Sequence, residues 1–425
     1  MTIKVARVAP LFLLATFSLS EVASASYAID ANDIFKEVIE QSRKITSLKK
    51  KLSSKEKLMD AERSYYYPKV EFSIDYSEFY GKQEPPLDSD SELVMSINST
   101  LYSDVSSDRI RSADNNRLAA YYSLKQKENE LYFNVVSELL KIERSRTFLA
   151  ESDLIREKMD DFITQISNAV TAGVSPVSYL RETQLIKVRF NDTIATVKSD
   201  IDSYFTQLYL STGYKVVDKD EVGLPSVLLN TVLAEKLIFD AQEGVNSNLD
   251  LRSKYHTVAA LKHDADANFE KLIVSAFNDT NIGLKSNSDN LRGDVRESSA
   301  VGLRLQYQLF DRKKSKTKGA AYNTYESEME SLEDERDSMR AKIIELGENY
   351  DTMMNRRDNL LEQIRLSKNL IDSQEKEILV DRIEFIDMVK SLSELVRTHV
   401  TLLNNDVKLY DNISEYRSII SKPFN

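Results

Sequence analysis

The stretch Val301-Gly-Leu-Arg-Leu-Gln-Tyr-Gln-Leu-Phe-Asp311 alternates apolar and polar residues without a break. Successive side chains of a strand point to opposite faces, so Val301, Leu303, Leu305, Tyr307 and Leu309 share one face. Gly302, Arg304, Gln306 and Gln308 share the other. Within about twenty residues the period changes. From Leu332 onward, apolar residues stand at Met339, Ile343, Leu346, Tyr350, Met353, Leu360, Ile364, Ile371 and Ile378, in steps of three, four or seven, which is a heptad seam. A strand with one apolar and one wet face therefore feeds a long, charged, coiled-coil helix.

The same juxtaposition occurs earlier. Val70, Phe72, Ile74 and Tyr76 alternate with Lys69, Glu71, Ser73 and Asp75. Leu93, Met95, Ile97 and Leu101 share a face, opposite Val94, Ser96, Asn98 and Thr100, and the turn-rich stretch 81–90 joins the two runs as a hairpin loop. Behind them comes a helical seam of Leu131, Val135, Leu139, Ile142 and Leu149, continued after a phase shift by Ile155, Met159, Phe162, Ile166 and Val170. A helix from about Ser103 to Ala172 would be roughly 105 Å long at ~1.5 Å per residue, a reach no globular domain needs.

Composition agrees with long elements. Seven prolines and ten glycines are few for 425 residues, and 29% of residues are charged. Lys4 and Arg7, the apolar run from Val8 to Leu19, and Ala23-Ser24-Ala25 have the three regions of a secretory signal peptide, so residues 1–25 are expected to be removed on export. The formal net charge of −11 then becomes −12, which disfavours nucleic acid as a partner. With no cysteine, disulfides, thiolate metal sites and a lipid-bearing cysteine are excluded.

Two halves follow one plan. The 265–276 segment stands where 61–72 stands, an offset of 204 residues, and Leu309-Phe310-Asp311 echoes Leu101-Tyr102-Ser103 at an offset of 208. The first half, 26–230, is expected to hold a helix, strands at about 69–77 and 93–102, a long helix 103–172, a turn, and a helix 177–212. The second, 231–425, is expected to hold a helix, strands at about 272–284 and 300–310, a long helix 311–380, a turn, and a helix 386–420.

Strands with one lipid-compatible and one wet face suit a transmembrane β-barrel, in which every backbone group is paired without water. Four strands cannot close one alone, whereas three chains giving twelve strands can, under three-fold symmetry. Tyr65, Tyr66, Tyr67, Tyr76, Phe79, Tyr80, Tyr102, Tyr307 and Phe310 cluster at strand ends, where an interfacial aromatic girdle belongs.

The order of 61–70 before the first hairpin, Ala172-Gly-Val-Ser-Pro-Val-Ser-Tyr-Leu180 between long helices, Asn248-Leu-Asp-Leu-Arg252 early in the second half and 301–311 before a long helix resembles the TolC family of outer-membrane channel proteins. The resemblance covers nearly the whole mature chain. It implies a mainly α protein with a small transmembrane β part: a homotrimer whose twelve-strand β-barrel in outer-membrane lipid continues into a barrel of coiled-coil helical hairpins crossing the periplasm. Its implied role is an exit duct for proteins or small toxic molecules, served by a periplasmic adaptor and an inner-membrane ABC or proton-driven pump. Val301, Leu303, Leu305, Tyr307 and Leu309 would face lipid.

In that family the inner ends of the hairpins close the channel and meet the adaptor. Ala172, Gly173, Val174 and Ser175 match the first end. The second falls near Val380 to Phe385, with Arg382, Ile383 and Phe385 as contacts and Asp381 where the family has glycine. Counting on from Asp381 gives Asp387 as the pore-constricting acid, with Glu384 nearby and Lys390 where the family has a companion acid. Three carboxylates in a narrow pore would repel one another and attract cations. Lys390, one turn away, would blunt that ring.

No spacing among His256, His263 and His399 makes a zinc site or a serine triad, and no phosphate loop or dinucleotide fingerprint occurs. No enzyme activity, cofactor or metal is expected, and any energy for transport comes from a partner. Asp88, Asp90 and Glu92 read as a solvated loop. Two other classes compete: a periplasmic coiled-coil adaptor, which would carry one hairpin and a compact β-domain, and a self-standing porin, which would lack heptads. Within the duct reading, a multidrug efflux channel competes with a secretion channel.

Overall fold

The computed structural model describes residues 31–79, 88–213, 219, 222, 232–233, 236–287, 290–378 and 385–422. The signal-peptide reading lies outside them. Helices α1 (Ala31–Gln41) and α2 (Arg43–Arg63) are divided by Ser42, whose hydroxyl accepts the Ile45 N–H and caps α2. A 3-10 turn at Ser64–Tyr66 and Pro68 lead into strand β1 (Lys69–Phe79), because proline forces the preceding residue out of the helical region. Strand β2 (Asp88–Ser103) follows, then helices α3 (Ser106–Thr171) and α4 (Val177–Thr212). Helices α5 (Ala241–Ser247) and α6 (Leu249–Ala267), strands β3 (Leu272–Asn287) and β4 (Asn290–Tyr307), and helices α7 (Arg312–Ile378) and α8 (Phe385–Ile420) complete the order.

Helix α3 has 66 residues with neither proline nor glycine, and α7 has 67 residues without proline. Each is roughly 100 Å long. Their stability comes from seams rather than from a thick core. Leu131, Val135, Leu139 and Ile142 of α3 pack with Tyr350 of α7, with Leu409, Tyr410 and Ile413 of α8, and with Ile34 and Val38 of α1. Further along, Phe148, Ile155, Met159 and Phe162 meet Phe190, Ile194 and Val197 of α4 and Ile364, Leu392 and Leu395 of the second pair. Each such fully buried side chain contributes about 1.5–3 kcal/mol relative to exposure. The heptad positions Leu332, Ile343, Leu346, Tyr350, Leu360, Ile364 and Ile371 are all buried, as the spacing requires. The side chain of Ile378 lies outside the described residues.

A buried ionic group crosses the seams. The Asp406 carboxylate, 1% exposed, accepts from Arg144 Nε at 2.8 Å and from Arg357 Nε at 3.1 Å, tying α3, α7 and α8 together.

The four strands form one antiparallel sheet in the order β1-β2-β3-β4. Register puts the alternating sets on a common face. Phe72 pairs with Met95, Ile74 with Leu93, Ala276 with Leu303, Val274 with Leu305 and Leu272 with Tyr307. Several strand expectations change. Strand β2 starts at Asp88 rather than about 93, so Asp88, Asp90 and Glu92, expected in a loop, pair with Phe79, Ser77 and Asp75 of β1. Strand β4 starts at Asn290 rather than 300, since 290–299 is too polar to show alternation. It also ends at Tyr307, because β3 begins opposite it at Leu272 and Asp311 already caps α7 by accepting the Lys314 N–H at 2.9 Å. Leu309 and Phe310 therefore sit in the connector, and Leu309 is not part of the strand face. Leu101 has no partner on β3, and this bulge places Tyr102 opposite Val274 on the apolar side.

Candidate functional site

The sheet face is the first candidate. Val301, Leu303, Leu305 and Tyr307 are 79, 73, 69 and 56% exposed, and Val70, Phe72, Ile74 and Tyr76 are equally open on β1. A soluble sheet buries such a face, so this one is built to meet another apolar medium. The opposite face carries Lys69, Glu71, Ser73 and Asp75 on β1, and Gly302, Arg304 and Gln306 on β4. One aromatic breaks that polarity. Phe277 lies across Gly302, where an added Cβ would sit 2.9 Å from Cζ, and the Arg304 guanidinium covers the same ring at 4.9 Å. Strands β1 and β4 each have a partner on one side only, leaving edges of 11 and 18 residues.

At the helical end of the sheet, Tyr66, Tyr67, Tyr102, Tyr307 and Phe310 are exposed. Tyr65 is not part of that fringe. It turns inward to Glu270, which also accepts from Ser103 Oγ at 2.5 Å and pairs with Arg109 at 3.1 Å. Burial and the Glu270 carboxylate push the Tyr65 phenol above its usual pKa. Asp104 meanwhile accepts the Lys271 N–H, and Gln308 N–H donates to Lys271 O at 2.9 Å. The starts and ends of the strands are thus tied to the first turn of α3. Tyr80, and the Phe79, Asp88 and Asp90 side chains, lie outside the described residues.

The first hairpin end is a Schellman turn. Gly173, at φ +73°, donates to Val170 O at 3.0 Å, and Val174 donates to Ala169 O at 2.9 Å. Left-handed backbone at this position suits glycine, and Pro176 starts α4. Ala172, Gly173 and Val174 are exposed and Ser175 half-buried, so the tip presents its backbone and Val174 outward.

At the second end, Asp381, Arg382, Ile383 and Glu384 lie outside the described residues, as does the Phe385 side chain. Asp387 is described: it stands in the first turn of α8, where a negative charge suits the helix dipole. Met388 and Val389 are buried beside it, while Asp387 is exposed. Lys390 Nζ stands 3.8 Å from its carboxylate. The structure therefore brings Asp387 and Lys390 together and leaves both reachable.

The histidines were not legible as partners. His256 stacks on Tyr122, and His399 is buried with Nδ1 3.4 Å from Glu151 Oε2. Burial would raise the Glu151 pKa, but His399, Arg144 and Lys368 outweigh it and hold the carboxyl low. His263 Nδ1 lies 3.0 Å from Asp108, a contact between residues 155 positions apart that no local spacing announces. No helix among the described residues is long and apolar enough to cross a membrane.

On the flanks, Leu185, Val188 and Leu210 of α4 and Ile344, Leu366 and Leu370 of α7 are exposed at spacings that leave apolar stripes along these two helices. The comparisons share this architecture. The outer-membrane channel OprN superimposes with a TM-score of 0.77 at 14% identity, over 93% of this chain and 90% of its own. The outer membrane protein VceC from Vibrio cholerae gives 0.74 at 11%, over 93 and 97%. The open state of the Neisseria gonorrhoeae MtrE outer membrane channel gives 0.68 at 11%, over 92 and 89%. No family model and no curated protein sequence matches the chain. The chain has the fold of the TolC-family outer-membrane channels, as the sequence resemblance implies.

Proposed function

We propose that three copies of this chain close into an outer-membrane exit duct. The observation that carries this reading is an exposed apolar sheet face with two open edges, set on helices roughly 100 Å long. Pairing β4 of one copy with β1 of the next satisfies both edges and closes twelve strands, with the apolar face toward lipid and Arg304 and Gln306 toward water. The stripes on α4 and α7 find cover against neighbouring copies in the same assembly. The repeated order of helix, two strands, long helix and shorter helix supports an internally duplicated chain.

In this reading the helical tube crosses the periplasm. Residues 172–175 and 381–385 form the ends that meet a periplasmic adaptor, and Asp387, with Asp381, Glu384 and Lys390 around it, forms a ring at the narrow end. An inner-membrane ABC or proton-driven pump supplies the energy. The cargo class, large proteins or small toxic molecules, follows from whichever pump co-purifies with the duct. A periplasmic adaptor would not need a two-edged sheet with an exposed apolar face. Mass measurement of the detergent-solubilised protein, together with membrane fractionation, tests the proposal: a trimer in the outer-membrane fraction is expected, and a stable monomer whose strands resist hydrogen exchange refutes it.

A further inference from the structure

His263 and Asp266 stand one helical turn apart in the last turns of α6, on one face of that helix. Helix α6 packs along α3, whose first turn carries Asp108. One ligand atom from each of Asp108, His263 and Asp266 lies within 4.8 Å of the other two, and all three residues are half-buried. A third helix joins them: Tyr322 of α7 donates its hydroxyl to Asp266 Oδ1.

An ordinary ion pair explains only part of this. His263 with Asp108, at 3.0 Å, is such a pair, but it leaves a second carboxylate turned toward the same point. Two carboxylates this close repel each other unless a cation stands between or beside them. Among the described residues no lysine or arginine pairs with the Asp108 or Asp266 carboxylate: Arg109 is held by Glu270, and Lys318 reaches the main-chain oxygen of Asp266 at 3.5 Å. The two carboxylates thus face each other with no lysine or arginine to offset them.

We propose that Asp108, His263 and Asp266 bind a divalent transition cation of the Zn2+ class, with water completing the coordination. One neutral imidazole nitrogen and two carboxylate oxygens suit Zn2+, and the two acids balance its charge. The histidine argues against Ca2+ and Mg2+, which take oxygen ligands. Bonds of about 2.1 Å at tetrahedral angles put ligand atoms roughly 3.4 Å apart, so modest side-chain rotation closes the set. Tyr322 takes the orienting role that outer hydrogen bonds play around metal ligands. The ion would clamp α3 to α6 next to the Glu270 network, where the helices meet the sheet. None of this rests on what the duct carries.

The test uses the full chain in detergent, stripped with chelator and titrated with Zn2+ by calorimetry and with Co2+ by visible absorption. One ion per chain and Co2+ ligand-field bands are expected, with a Zn2+-dependent rise in the unfolding temperature. His263→Asn and Asp108→Asn should each abolish all three signals while far-ultraviolet circular dichroism stays helical. Tyr322→Phe should weaken uptake about tenfold, and His256→Ala should change nothing. Absence of uptake at micromolar Zn2+ would show an ion pair only and overturn the proposal. Uptake unchanged in both His263→Asn and Asp108→Asn would overturn it equally, as surface binding. If either variant loses its helical signal, Asp266→Asn and Tyr322→Phe carry the same comparison.

Discussion

Arginine at Leu305 separates the two faces of the sheet energetically. The apolar run on β4 from Val301 to Tyr307 extends roughly 20 Å at ~3.3 Å per residue. Tilted by about 40°, as barrel strands are, it crosses roughly 15 Å of depth. Leu303 and Leu305 flank the centre of that run, and Val301 and Tyr307 mark its ends. A charge facing lipid costs about 2–4 kcal/mol at the midplane and about 0–1 near the interfaces. Leu305→Arg and Leu303→Arg should therefore lower the folding equilibrium by roughly 30- to 700-fold, at about 1.4 kcal/mol per factor of ten. Tyr307→Arg should cost about 1 kcal/mol or less. Gln306→Arg, on the opposite face, should stay within about 0.5 kcal/mol of the parent. Denaturant titration of protein refolded into lipid vesicles measures these differences, and heat-modified gel migration of membrane extracts gives an independent ranking. Equal losses for Leu305→Arg and Gln306→Arg would refute the assigned faces. A larger loss at Tyr307 than at Leu305 would refute the assigned depth.

Other perturbations address the long helices and the proposed gate. Asp406→Ala leaves the buried Arg144 and the partly exposed Arg357 without their shared carboxylate, so unfolding free energy should fall by about 3–5 kcal/mol in a denaturant titration; a loss below about 1 kcal/mol would mean both arginines find other partners. Gly302→Val drives a side chain into Phe277 and should cost about 1–3 kcal/mol, a penalty that Phe277→Ala relieves in a double-mutant cycle if the contact is its cause. Asp387→Ala should raise single-channel conductance in planar bilayers and weaken block by multivalent cations, whereas Lys390→Ala should strengthen that block; unchanged block in both would move the ring to Asp381 or Glu384. The Glu151 pKa is lower folded than unfolded, so its stabilisation is complete above the ordinary carboxyl value of about 4.3 and disappears as pH falls through the folded value. Glu151→Gln should therefore flatten the loss of stability on acidification, and an unchanged slope would remove His399 and Arg144 from that role.

Period-based features were the legible ones. Val301 to Tyr307 and Leu332 to Ile371 follow repeats of two and three-and-a-half, which depend only on which side of an element is dry. The outer half of β4 was hidden because 290–299 pairs through its backbone with β3 and needs no apolar side chain to do so. The bulge at Leu101 was hidden for a related reason: an unpaired residue changes hydrogen bonding, not composition. At the first hairpin end, Gly173 marked its turn because left-handed backbone strongly favours glycine, while the stretch 379–384 between α7 and α8 holds no glycine and offers no such mark. Contacts such as His263 with Asp108, or Tyr65 with Glu270, join residues more than 150 positions apart, and local spacing does not encode them.

The length of α3 turns the tie between Glu270, Arg109, Tyr65 and Ser103 into a fulcrum. With arms of roughly 100 Å, a rotation of one degree about that point sweeps the far tips through roughly 1.7 Å, comparable to half a side-chain diameter. The same rotation moves residues within a turn of the fulcrum by roughly 0.1 Å, well inside thermal motion. Mechanical advantage therefore runs one way along the molecule: a force applied at residues 172–175 works with leverage against a sheet that scarcely registers the displacement, so the helical tips can shift while the sheet stays in place.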